Sequence, residues 1–167
     1  MNGITPDGLY HYFNKSVPGI IRVESCELYY DLHIIIRYEI EEMIFNEGLK
    51  ASEIPKIWNE KYKEYLGLTP KNHGEGVLQD SHWAGAAFGY FPTYSLGNLI
   101  LGSLYQKLKK EVPHFKKDIR KGDLSSVGSF LKKNVHLKGR LVNAEEIVGE
   151  INVEDYLSYL NEKFEGA

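Results

Sequence analysis

The chain has a single cysteine, Cys26, in 167 residues. That excludes an internal disulfide framework and fits a reducing, cytoplasmic setting. No stretch approaches the ~18 consecutive apolar residues of a spanning helix, so no membrane segment is expected. The opening Met1-Asn2-Gly3-Ile4-Thr5-Pro6 shows no basic segment followed by an apolar one, so no secretory leader is expected. Charge of one sign is missing too: 20 basic against 23 acidic residues leave a net charge of −3. That balance gives no general attraction to nucleic acid or to an anionic membrane. Metal-ligand spacing is absent as well. There is no His-Glu-x-x-His, no pair of histidines four apart and no cysteine pair. A catalytic zinc site takes three protein ligands and an open position, so no metal site is expected within this chain.

What the chain does have is helix signal and tyrosine. Apolar residues make up 43% and charged residues 26%, a globular balance. Twelve tyrosines suggest buried surfaces that stay partly polar. Alternating strand patterns are almost absent, and the spacing predicts one all-α domain over residues 1–167. Thr5-Pro6 reads as the cap and first position of a helix over 6–15. A long helix follows from Ile20 to Asn46, with a buried middle from Leu28 to Ile36. Ser52 reads as the cap of a helix over 53–66, closed by Gly67. Residues 68–82 read as a loop, and 92–112, 114–121, 124–134 and 153–164 as further helices. Asn143 with Glu146 forms a capping box, and Asn152 caps the last helix. The basic run Lys107–Lys110 and the cluster from Lys116 to Lys121 read as solvated helix faces.

The densest chemistry lies in residues 76–98. Gln79, Asp80, His82 and Trp83 fall within five positions, followed by Tyr90 and Tyr94, among glycines and alanines that let backbones approach closely. His82, with Asp80 two residues away, is suited to donate a proton or a hydrogen bond to a developing oxyanion. The alternative is a structural histidine. Tyr90 and Tyr94 stand four apart and would share a face if the helix ran through both; either hydroxyl could act as a donor. Arg22, among isoleucines, reads either as a snorkelling side chain paired with a carboxylate or as a fork facing a carboxylate ligand. Glu24, Glu27 and Asp31 would form an acidic stripe on the long helix. His33, His114 and His136 read as packing or surface residues, and Cys26 as an inert buried thiol.

Residues Gly76 to Trp83 spell Gly-x-x-Gln-Asp-x-His-Trp, and Ile21-Arg22-Val23-Glu24 opens an Ile-Arg-x-x stretch. Pro55-Lys56-Ile57-Trp58-Asn59 and Phe88-Gly89-Tyr90-Phe91-Pro92-Thr93-Tyr94 extend the pattern. Together they resemble the carboxypeptidase Taq family of zinc metallocarboxypeptidases, matching only the C-terminal third of such enzymes. Where that family has Ala-Asp, this chain has Ser25-Cys26. The resemblance implies a mostly helical fold and an Arg22 that helps hold the substrate's terminal carboxylate; Gln79 and Asp80 are read with it as substrate-binding residues. It also implies that His82, with Tyr90 or Tyr94, lines the groove wall opposite a metal. The zinc motif of such enzymes lies before the matched region, so no cofactor is expected in this chain alone and zinc only from a partner chain.

The resulting expectation is a metallocarboxypeptidase-related protein without peptidase activity alone, serving as a binding or assembly module. The alternative is the C-terminal chain of a split zinc carboxypeptidase that trims peptide C-termini once paired with an N-terminal zinc-bearing chain. Expected partners are that chain or a second copy, with burial across the interface at Tyr29, Ile36 and Phe88–Phe91.

Overall fold

The computed structural model describes residues 5–165, and every regular element among them is helical. These residues pack as two compact units, 5–95 and Leu96–Glu165. No described helix is long and apolar enough to cross a membrane.

In the first unit α1 spans Pro6–Phe13, with Thr5 Oγ1 accepting from the Gly8 amide at 3.0 Å. Where the sequence predicts one helix from Ile20, the chain makes a single 3-10 turn, Arg22–Glu24, and α2 begins at Glu27 and runs to Asn46. Ser25 and Cys26 between them are extended, with ψ of 142° and 157°. The Arg22 amide in that turn donates 2.9 Å to Gln79 Oε1, tying it to the 68–91 segment. The break also puts Glu24 off the α2 face that carries Glu27 and Asp31.

Helix α3 spans Ile54–Leu66. Its N-cap is Glu53 rather than Ser52, and Gly67, at φ 70°, turns the chain out of it. Helices α2 and α3 bury Ile36 and Ile40 against Trp58, Tyr62 and Leu66, with the Trp58 and Tyr62 rings stacked at 5.1 Å. Truncating one of these rings to alanine would cost about 3–5 kcal/mol. Residues 68–91 form turns without a helix, a longer irregular stretch than the predicted 68–82. Ile36 and Phe91, predicted to be buried across an interface, are buried within the chain instead.

Helix α4 spans Pro92–Glu111. In the second unit α5 (Phe115–Arg120), α6 (Ser125–Leu131), α7 (Ala144–Val148) and α8 (Val153–Phe164) follow. The helix predicted over 124–134 stops at Leu131 and widens into a π turn, Lys132–His136, where buried Asn134 donates to the Phe130 carbonyl. The Asn143–Glu146 capping box and the Asn152 cap form as predicted. A Cβ on Gly102 of α4 would lie 2.5 Å from Tyr156 Cα of α8, so only glycine permits this approach. The basic run is not wholly solvated: Lys107 donates to the Ile147 carbonyl, and Lys109 and Lys116 both pair with Glu162.

Candidate functional site

The site is built on α2. His33, Arg37 and Glu41 stand four residues apart, share one helical face and are all buried, with Ile34, Ile36 and Ile40 beside them. Each meets a partner from elsewhere in the first unit.

Arg37 is fully buried. Its Nε donates 2.7 Å to Asp80 Oδ2, Nη1 2.6 Å to the His33 carbonyl and Nη2 2.9 Å to Gln79 Oε1. Its guanidinium carbon lies 4.6 Å from the Trp58 ring centroid and 5.3 Å from that of Phe91. The other Asp80 oxygen accepts from Arg22 Nη2 at 2.7 Å and Nε at 3.1 Å. One carboxylate thus bridges two guanidiniums. Burial by itself would raise the Asp80 carboxyl, but the Arg22 hydrogen bonds and the Arg37 charge hold it below the ordinary carboxylate value. The bridge is ionised at neutral pH and the cluster carries one net positive charge.

Arg22 also donates 2.7 Å from Nη1 to the Tyr30 hydroxyl. Its guanidinium sits in an aromatic cage, 5.1 Å from the Tyr94 centroid, 5.6 Å from Phe91 and 5.7 Å from Tyr30. Burial lowers its basicity, but the hydrogen bonds and charge of Asp80 together with Tyr30 more than offset this, so it stays charged. Three of the five N–H groups of Arg22 are engaged among the described residues. Its carboxylate comes from Asp80, not from position 26. Cys26 is half-buried, with Sγ 3.8 Å from the Val17 carbonyl.

Gln79 has no free polar group facing outward. Its Oε1 accepts from the Arg22 amide and Arg37, while Nε2 donates to the Glu75 and Ile20 carbonyls at 2.7 and 3.2 Å. Gln79 and Asp80 therefore form the scaffold that aims Arg22.

His82 Nε2 lies 3.1 Å from the Tyr94 hydroxyl, and its ring packs 4.4 Å from Phe91 and 5.7 Å from Tyr90. Its Nδ1 is buried without a partner among the described residues and stands 4.0 Å from Asp80 Oδ1. Tyr90 precedes the start of α4 at Pro92, so it does not share a helical face with Tyr94. The two rings still meet edge to face at 5.5 Å. His82 leads into a loop whose Ala86 adopts a left-handed φ of 57°, a strain of about 1–2 kcal/mol for a non-glycine residue. Glu41 holds that loop, its two oxygens accepting from Trp83 Nε1 at 2.7 Å and the Gly89 amide at 2.9 Å.

His33 lies beneath, its Nδ1 3.0 Å from the Tyr62 hydroxyl. Burial, aided by the charges of Arg37 and Arg22, lowers its pKa to about 4, so it is neutral at neutral pH.

Among the described residues no group of three or more His, Cys, Asp or Glu side chains is arranged to hold a metal ion. Both Asp80 oxygens are spent on guanidiniums. These residues do not fit a zinc site. A cleft of ≈ 250 Å³ lined by Pro55, Asn59, residues 70–73, Gly76 and Val77 contains none of the candidate groups.

Arg37, Glu41, Tyr30 and Tyr62 were not singled out from the sequence. The signal that would have found three polar members was the four-residue recurrence of His33, Arg37 and Glu41 through an isoleucine-rich helix.

Residues 1–164 fit the sequence profile described as Carboxypeptidase Taq (M32) metallopeptidase, and the chain belongs to that family. It is 41% identical over 166 residues to carboxypeptidase 1 of Bacillus subtilis, covering 96% of this chain and 33% of that protein. With thermostable carboxypeptidase 1 of Thermus thermophilus the identity is 37% over 161 residues, covering 93% of this chain and 32% of that one. The fold is similar to that of Trypanosoma cruzi metallocarboxypeptidase 1, at a TM-score of 0.90 and 35% identity, over 99% of this chain and 36% of the other. The chain thus spans about a third of the length of the curated relatives it matches.

Proposed function

We propose that this chain forms the metal-free wall of a carboxypeptidase groove. Arg22 receives the terminal carboxylate of a peptide, and His82 with Tyr94 presents hydrogen-bond donors beside the scissile carbonyl. The metal and its general base come from residues outside this sequence, and the chain alone has no peptidase activity. The observation that carries this reading is that Tyr94 joins both functions. Its ring lies 5.1 Å from the Arg22 guanidinium and its hydroxyl 3.1 Å from His82 Nε2. A guanidinium already braced by a carboxylate is pre-organised to bind a second one. Gln79 and Asp80 act through Arg22 rather than on the substrate. Cytoplasmic placement, where the single thiol stays reduced, and pairing with a zinc-bearing N-terminal chain belong to the same reading.

A second reading, a binding or assembly module without a catalytic role, draws on the exposed apolar side chains of Phe13, Phe45 and Leu141. Its partner would be a second copy or another chain. One experiment separates the two. The chain is combined with the zinc-motif-bearing remainder of the Bacillus subtilis relative, and release of C-terminal residues from a blocked dipeptide is followed. On the groove reading His82→Ala lowers turnover about 10²–10³-fold with an unchanged melting temperature, and Arg22→Lys chiefly raises KM. Lost melting temperature without lost turnover, or no activity in any reconstituted pair, supports the module.

A further inference from the structure

We infer that Glu41 is the positioning residue of this site. It acts on His82 and Tyr90 through the loop between them, and this rests on the reading that the His82–Tyr94 pair faces substrate. His82 is bracketed in the chain. Two residues before it, Asp80 is fixed by Arg22 and Arg37. One residue after it, the Trp83 indole N–H donates to Glu41 Oε1 at 2.7 Å. The other oxygen of the same carboxylate takes the Gly89 amide at 2.9 Å, immediately before Tyr90.

The two ends of the loop therefore converge on one side chain. Between them the backbone turns back on itself through Ala86→Trp83 and Ala87→His82 amide-to-carbonyl bonds, with Ala86 in its left-handed conformation. These bonds shape the loop but are all internal to it. Two side chains of α2 reach it: Phe45 packs edge to face on Phe88 at 5.2 Å, and Glu41 supplies the polar attachment at both of its ends. The carboxylate is buried, and its charge is met by two N–H donors, an arrangement that makes each bond stronger than a neutral one. A rigid helix bearing one buried acceptor pair thus sets the spacing of the His82 and Tyr90 rings, 5.7 Å between centroids. It also sets the approach of His82 to Tyr94.

Glu41→Gln is the discriminating change, because the amide offers one acceptor where two are needed and turns a donor toward Trp83 or Gly89. The measurement is proton–proton cross-relaxation between aromatic rings in the purified chain. The expected result is loss of the His82–Phe91 and His82–Tyr94 cross-peaks while those of the stacked Trp58–Tyr62 pair persist. Glu41→Asp, which keeps the charge but withdraws it by one methylene, serves if Glu41→Gln does not fold, and the same loss is expected there. Retention of the His82 cross-peaks in either folded variant, or loss of the Trp58–Tyr62 peaks along with them, overturns the inference. Peptidase activity does not enter the readout. A failure of the groove reading would therefore appear in reconstitution alone and leave this result standing.

Discussion

At His33 the protein buries an imidazole completely and keeps it neutral. Burial is the main cause of its lowered pKa, and the charges of Arg37 and Arg22 add to it. The linkage follows from the two end points. In the unfolded chain the ring protonates near its ordinary value of 6.5, whereas in the folded chain it does so only near 4. Between those values the unfolded state binds the extra proton, so stability falls as the pH drops from 6.5 to 4 and the loss is complete below it. The expected loss from this group is about 3 kcal/mol. Asp80, whose folded value is depressed, adds its own loss only at lower pH, beneath the ordinary carboxylate value of 3.8. Urea unfolding at pH 7, 5.5 and 4 checks this. The parent should lose stability across the series, and a folded His33→Gln variant should lose about 3 kcal/mol less. Parallel losses in the two proteins would show that other groups carry the pH dependence.

Among the elements, α4 and α8 illustrate how little room separates a helical glycine from a structural requirement. Replacing a helix-interior glycine by alanine is ordinarily favourable by about 0.8–1 kcal/mol. Here the added methyl would sit 2.5 Å from Tyr156 Cα and 2.6 Å from its nitrogen, against backbone that cannot rotate away. Gly102→Ala should therefore destabilise by about 1–3 kcal/mol, read as a lower melting temperature. A rise would mean that α8 shifts freely. This close approach was invisible in the sequence, because Gly102 looks like any tolerated glycine in a helix. The helices themselves were legible, since apolar periodicity and caps are local. The Asn143 and Asn152 caps were found for the same reason. What local signals missed was the break before α2, where the Arg22 turn is tied instead to a glutamine 57 residues away. Of the site, Arg22, His82 and Tyr94 were legible as chemistry-bearing types in a dense segment. Gln79 and Asp80 were legible as members but not as scaffold, because their roles lie in partners distant in sequence. Arg37 and Glu41 were hidden inside a run that reads as plain core.

For the molecule as a whole, the Arg22–Asp80–Arg37 bridge has a consequence in time. The α2–α3 core joins neighbouring elements across a short turn, whereas Asp80 meets partners 58 and 43 residues away. Contacts that close long loops form late, because their ordering entropy is lost before the contacts reward it. The helical pair should nucleate folding, and the bridge with the segment it holds should snap in after the transition state. Asp80→Asn leaves two buried guanidiniums facing a neutral amide and should cost about 3–5 kcal/mol. Nearly all of that cost should appear as faster unfolding, with a folding rate close to that of the parent. Stopped-flow chevrons would show it, and a matching fall in the folding rate would place the bridge in the nucleus instead. A segment that closes last also opens first. The segment around Arg22, Asp80 and His82 would then be the one the protein can release and re-form without dissolving the core beneath it.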